Sequence, residues 1–248
     1  NGVPAWDPAV ETWDVLDGGK MIGRFYLDLH PRAGKYSHAE MAPVLDGIRA
    51  AGARAVPVPL EIREQASIER ALAAVLAEFG ELDVLVNNAA LALRKPALEF
   101  TREEWNAVID TNLTAPFLCT RAAFRIMKSQ GGGRIINIGS VYGIQGGNPA
   151  LYPGMDWDIA PYFVSKHAVH GIAHYLAPWL AKSGVTINTL HPGGFAGSEM
   201  NEKAMSERAT GVSEMEQRFN AAVPMGRIGG ADDIKAAAVF MASPGSKY

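Results

Sequence analysis

The chain has 248 residues, 48% hydrophobic and 20% charged, with one cysteine and a formal net charge of −3. That length and mix suit one large α/β domain and exclude wholesale disorder, a collagen repeat and a disulfide scaffold. The slight acidity offers no basic field for nucleic acid or anionic lipid, and the apolar runs are too short for a membrane span. With no signal peptide and only Cys119 as a thiol, a reducing, cytoplasmic setting is expected.

Residues 12–30 predict a β-hairpin, because two β-rich runs flank Asp17-Gly18-Gly19-Lys20, and Asp-Gly and Gly-Gly supply the positive φ angles of a tight turn. From about residue 40 helices and strands alternate. Residues 40–51 predict a helix ended by Gly52, and 53–62 a strand confined to a sheet edge by Pro57 and Pro59, which cannot donate ladder hydrogen bonds. Residues 67–79 predict a helix with Ile68, Leu72, Val75, Leu76 and Phe79 on one face and Gly80 as its stop. Residues 82–90 read as a strand buried on both faces. Thr101 and Glu104 form a capping box opening a helical region to Lys128, bent near Pro116 and closed by Gly131-Gly132-Gly133.

A second buried strand is expected at 134–140, a Gly- and Pro-rich loop at 141–161, a helix at 162–182, and a strand at 185–194 ending in a Pro-Gly turn. Residues 198–222 read as mobile helical pieces rich in Met and Glu. Residues 231–242 predict a helix with Ile234, Ala237, Ala238 and Met241 on one face. This alternation implies βαβ units and a parallel α/β sheet.

In such a sheet, ligands bind beyond the carboxyl ends of the strands. Four predicted strands end in polar or glycine-rich residues: Leu60-Glu61-Ile62, Asn87-Asn88-Ala89-Ala90, Gly139-Ser140 and Pro192-Gly193-Gly194. Any one of these could be an ordinary strand end, since turns favour Asn, Ser and Gly. Tyr162 and Lys166 lie four apart on a helix and share a face. A free phenol titrates near ~10, and an ammonium beside it favours phenolate, so the pair suits proton transfer to or from a carbonyl or alcohol oxygen. Alone, Tyr-x-x-x-Lys is usually just a helix surface.

In this company the pair resembles the short-chain dehydrogenase/reductase family. The matching elements follow in family order over about residues 42–245: Asn87-Asn88-Ala89-Ala90, Asn112 in DTNLTAPF, Ser140 in INIGSVYG, Tyr162-x-x-x-Lys166, Pro192-Gly193, and MGRIGGADDI before the last helix. The resemblance implies a Rossmann-like three-layer, doubly wound parallel sheet. It makes Tyr162 the general acid/base, with Lys166 lowering its pKa and holding the nicotinamide ribose. Ser140 would hydrogen-bond the substrate oxygen, and Asn112 would anchor a water in the proton relay. Glu61 and Ile62 would stand beside the adenine, Asn88, Ala89 and Ala90 along the cofactor, and Pro192, Gly193, Gly194 and Phe195 on the nicotinamide side. It implies hydride transfer between NAD or NADP and a small-molecule carbonyl/alcohol pair, in a homodimer or homotetramer with no metal, nucleic-acid or membrane partner.

The sequence also departs from that family. The Gly-rich TGxxxGIG turn that would hold the pyrophosphate does not occur, and Gly18-Gly19 and Gly23 lead into strand-like residues instead. The chain opens on Asn1 and stops at Tyr248, which reads as a processed chain or a fragment lacking terminal strands. Residues 1–40, with TWDVLDGGKMIGRFYLDLHPRAGKYSHA, resemble a segment of the thimet-oligopeptidase-like zinc metallopeptidases. They imply no peptidase activity, because His-Glu-x-x-His is absent. The expectation is a foreign segment at 1–40 joined to a domain at 41–248, with weakened stability and cofactor affinity. The alternative is a catalytically silent remnant that keeps the fold and its dimerisation surface.

Three further features are weighed. His167, His170 and His174 lie close to one helical face, where two such histidines can bind zinc, but buried or interfacial histidines are the expectation. Tyr175, Pro178 and Trp179 supply apolar bulk for packing. Met200, Met205 and Met215 could form a lid or fill a core, and Cys119 is expected to be buried in a helix. Ser140 and Tyr162 stand 22 residues apart, so the loop between them is expected over the substrate pocket.

Overall fold

A computed structural model describes residues 16–17, 20–21, 38–152, 159–195 and 214–248. Strands β1 (Leu16–Asp17) and β2 (Lys20–Met21) pair antiparallel, Asp17 opposite Lys20, as the hairpin reading predicts. The rest of 12–30 lies outside the described residues. Helix α1 (His38–Ala50) follows, and α2 (Gln65–Phe79) ends at Gly80, whose φ of +84° is the left-handed conformation a glycine cap allows.

Three apolar runs build the main sheet: β3 (Val84–Asn87), β4 (Gly133–Ile138) and β5 (Val185–Leu190), parallel and side by side in that order. The register sets Asn87 opposite Asn137 and Ile138 opposite Leu190, so the carboxyl ends share one rim. The crossovers are helical. Helix α3 (Arg102–Ile109), a π turn at Asp110–Thr114 and α4 (Ala115–Gln130) link β3 to β4, and α5 (Ala160–Leu180) leads into β5. The chain closes with α6 (Glu214–Ala222) and α7 (Ala231–Ala242).

Strand side chains alternate between faces, and the two faces meet different helices. Leu85, Ile135, Val185 and Ile187 join Leu72 of α2, Ala123 and Met127 of α4 and Ala173 of α5 in the larger core. Val84 and Ile136 on the opposite face pack with Ala242 and Met241 of α7. Each fully buried Leu or Ile contributes about 1.5–3 kcal/mol relative to an exposed one. The result is the helix–sheet–helix layering of a Rossmann-like fold.

One expectation needs correction. Residues 53–60 join no ladder among the described residues. They run past α1 with Ala53 and Ala55 packed against Ile48, and Ile62 enters the larger core. Alternating burial imitates a strand there, while Pro57 and Pro59 remove two of the donors a ladder would need. The helical region runs on to Gln130 through the π turn at Asp110–Thr114, which lies directly before the proline-bearing first turn of α4, with the Ala115 N–H reaching back to the Asp110 carbonyl. The capping box forms as expected: Thr101 Oγ1 accepts the Glu104 N–H at 3.2 Å, and the Glu104 carboxylate accepts the Thr101 N–H at 2.9 Å. No described helix is long and apolar enough to cross a membrane.

Candidate active site

The three strands stop where their sequences turn polar, and the loops beyond are stitched to one another. The Gly139 N–H donates to the Leu190 carbonyl at 2.7 Å, and the Val141 N–H to the Pro192 carbonyl at 2.7 Å. Between these bonds Ser140 opens a single 3-10 turn at Val141–Gly143, its Oγ accepting the Tyr142 N–H at 3.2 Å. An accepting Oγ keeps its own proton available to donate.

Helix α5 brings its first turns against this element. Tyr162, Lys166 and Ser140 are all buried, at 6%, 3% and 8% exposure. Lys166 Nζ donates to the Ile138 carbonyl at 2.7 Å and lies 5.5 Å from the centre of the Tyr162 ring. The Ser140 turn is pressed so closely on α5 that a Cβ added at Gly143 would lie 2.7 Å from the Lys166 carbonyl oxygen. The turn of α5 that carries Lys166 therefore packs directly on the serine turn, with the Tyr162 ring beside the ammonium.

Asn112, in the π turn and 1% exposed, ties the rim to α5. Its Oδ1 accepts the Leu91 N–H at 2.7 Å, and its Nδ2 donates to the Leu91 carbonyl at 2.9 Å and to Ser165 Oγ at 3.0 Å. Ser165 in turn donates to the Tyr162 carbonyl at 2.6 Å. Asn88, Ala89 and Ala90 lie between Leu91 and Asn87, whose Nδ2 is fixed to Asn137 Oδ1 at 2.8 Å. Pro192, Gly193, Gly194 and Phe195 leave β5 on the same rim. Gly229 donates to the Gly194 carbonyl at 2.8 Å, while a Cβ at Gly193 would meet nothing within 4 Å.

Glu61 and Ile62 are held differently. The Glu61 carboxylate grips Arg63, with Nε 3.0 Å away, and the Arg63 hydrogen bond holds its pKa below the usual carboxylate range. Ile62 is 1% exposed inside the core. Cys119 is buried in α4 as expected, and burial pushes its thiol up to about 12. Met200 and Met205 lie outside the described residues, as does the Met215 side chain.

Several residues at the site carried no signal that sequence reasoning could single out. Tyr142, two residues after Ser140, shares a hydroxyl hydrogen bond with Tyr152, and its ring lies 5.7 Å from Phe163. Tyr152 sits edge-on to Phe219 at 5.6 Å. Burial, then the Tyr142 hydroxyl, raises the Tyr152 pKa, and the neighbouring Arg94 opposes that rise. Burial also lowers the pKa of Arg94. His170, expected as a buried or interfacial histidine with zinc binding as the alternative, has its Nδ1 3.0 Å from Nε2 of His191 and its ring 4.3 Å from His174. Among the described residues no group of His, Cys, Asp and Glu is arranged to hold a metal.

Comparison with known proteins places this geometry. A family model described as Enoyl-(Acyl carrier protein) reductase matches residues 34–248. The chain is 36% identical over 197 residues to the 3-oxoacyl-(acyl-carrier-protein) reductase FabG of Escherichia coli, covering 79% of this chain and 74% of that protein. It is 32% identical over 210 residues to the 2-dehydro-3-deoxy-D-gluconate 5-dehydrogenase of the same organism, covering 84% and 77%. A crystal structure from Beutenbergia cavernae, of a protein proposed to be an NAD(P)-dependent gluconate 5-dehydrogenase with NADP bound at low occupancy, superposes with a TM-score of 0.72 at 31% identity. It covers 84% of this chain and 78% of that one. With a family model spanning most of its length and relatives this similar, the chain belongs to the short-chain dehydrogenase/reductase family.

Proposed function

We propose that this chain is an NAD(P)-dependent oxidoreductase acting on a small carbonyl/alcohol pair through Ser140, Tyr162 and Lys166. The observation that carries this reading is the buried phenol and ammonium, one helical turn apart on a helix whose Lys166 turn packs against the serine turn at the carboxyl rim of the sheet. The nicotinamide cofactor, when bound, supplies or accepts the hydride. The residues on the rim suit such a ligand: Gly193 leaves room beside Pro192, and the Lys166 ammonium is held at the same rim by the Ile138 carbonyl. Asn88, Ala89 and Ala90 would flank it on the β3 side, Gly194 and Phe195 on the β5 side, and Glu61 and Ile62 near the adenine.

Each residue then has a task. Tyr162 gives its phenolic proton to the carbonyl oxygen during reduction and takes it back during oxidation. Lys166 favours the phenolate that results. Ser140 Oγ donates to the same substrate oxygen. Asn112 holds Leu91 and Ser165 in place and anchors a water that refills the proton. Tyr142, Tyr152 and Arg94 offer hydroxyls and positive charge, which favours a polar carbonyl compound carrying hydroxyl or carboxylate groups. In this reading residues 41–248 form the working domain and 1–40 a separate segment. Copies would associate as a dimer or tetramer through α5, where Tyr175 and Trp179 are 69% and 63% exposed.

NADH and NADPH fluorescence titration, followed by turnover of Tyr162→Phe, tests the assignment. Expected are cofactor binding, weakened because no TGxxxGIG turn occurs in the sequence, and loss of turnover in Tyr162→Phe with cofactor affinity unchanged. An absence of binding at millimolar cofactor would overturn it in favour of the silent remnant.

A further inference from the structure

His191 is the residue immediately before Pro192, and the Ser140 turn is folded over its ring. A Cβ added at Gly139 would lie 2.6 Å from His191 Nδ1, and one at Gly143 would lie 2.8 Å from its Cε1. Both glycines flanking the serine turn therefore exist at a separation only a bare Cα permits. The imidazole is a template on which Gly139-Ser140-Val141-Tyr142-Gly143 is wrapped.

The distances around the ring select one protonation pattern. His191 Nδ1 lies 2.8 Å from the Ser140 carbonyl oxygen and 3.4 Å from the Ser140 nitrogen. If Nδ1 were a bare acceptor, its lone pair would face those of the carbonyl at 2.8 Å with no proton between them. A long contact to the Ser140 N–H would not offset that repulsion. Nδ1 therefore carries the proton and donates to the Ser140 carbonyl, which also accepts the Gly143 N–H at 2.7 Å. His191 Nε2 is then an acceptor, and the only pattern consistent with a 3.0 Å contact to His170 Nδ1 has His170 donating. The His170 ring lies tilted against His174, with centres 4.3 Å apart, and edge-on to His191 at 4.9 Å.

We infer that His191, locked in its Nδ1–H tautomer by His170, is a positioning residue that sets the Ser140 carbonyl and so the direction of the Ser140 hydroxyl. The groups facing the pair are His167 and His174 from α5 and the Ser140 amide from the turn. Burial and these imidazoles hold the His170 pKa down, which favours the neutral pair the device needs. The kinetic part of this inference rests on the proposed oxidoreductase reading. The tautomer part stands without it.

The test uses the full chain with 15N-labelled histidine. Long-range 1H–15N spectra are expected to show His191 protonated at Nδ1, and His170→Leu to shift it toward a tautomer mixture. His191→Leu should lower kcat about 10- to 100-fold, the size of a loss from a misplaced catalytic group, with KM for the cofactor unchanged. His191→Asn, whose Nδ2–H stands where Nδ1–H stood, should recover most of that loss. A wild-type His191 protonated at Nε2, or a wild-type kcat in His191→Leu, would overturn the inference. If His191→Leu fails to fold, His170→Leu carries both measurements from a partly exposed helix position, and an unchanged tautomer and kcat there overturn it equally. If no carbonyl compound is turned over, the functional reading falls while the spectra still decide the tautomer.

Discussion

Replacing Asn112 by alanine should loosen the rim and the α5 side of the site together. The side chain makes three hydrogen bonds: 2.7 and 2.9 Å to the Leu91 backbone and 3.0 Å to Ser165 Oγ. Each net bond contributes about 1 kcal/mol, so the loss should be about 3 kcal/mol, with more if the Leu91 groups stay dry. For a chain of this size that lowers Tm by about 6–12 °C. Urea unfolding measures the stability, and amide exchange at Leu91 localises the effect. Asn112→Asp should be no milder at neutral pH, because a carboxylate oxygen would replace the donor that now faces the Leu91 carbonyl. A loss below about 1 kcal/mol, or an unchanged exchange rate at Leu91, would refute the bracing role.

Gly143→Ala should cost about 1–3 kcal/mol in urea unfolding, because its Cβ meets the Lys166 carbonyl at 2.7 Å. Gly146→Ala, where a Cβ meets nothing within 4 Å, should be close to neutral. Cys119 should resist iodoacetamide at pH 8 in the native chain and react promptly in urea, since burial pushes its thiol up to about 12. The Asp233 carboxylate is held far below its ordinary pKa by Arg227, 2.7 Å away, and then by the Gly230 N–H. Its contribution is present above the unfolded pKa near ~4 and is lost as pH falls toward the depressed folded value. The difference in urea midpoint between wild type and Asp233→Asn should hold steady from pH 7 to 5 and shrink below pH 4.

What the sequence disclosed followed the range of each interaction. The Thr101–Glu104 box and the Gly80 stop are local, so spacing alone located them. The buried strands β3, β4 and β5 were legible as apolar runs, although each ends earlier than its apolar pattern because the residues beyond bond to neighbouring loops. The sequence predicts an edge strand at 53–62, but a strand needs a neighbour to pair with, and none of the described residues pairs with them. The Tyr162–Lys166 spacing was visible. The partners that position the site were not, because Asn112 reaches back 21 residues to Leu91 and His191 back 21 to His170. Contacts over such separations exist only once the sheet has brought the loops together.

Helix α5 carries the phenol, the ammonium, the Ser165 hydroxyl and His170 on one stretch of backbone, whereas Tyr142 and Tyr152 sit on the connection that precedes it. On the proposed reading, the groups that move the proton ride on a single helix, and Tyr142 and Tyr152 ride on a separate stretch of chain. On that reading, exchanging the stretch for one of another composition is expected to change which compounds are accepted while Tyr162 and Lys166 stay in fixed relation on α5. The proposed chemistry would then not need rebuilding for selectivity to drift.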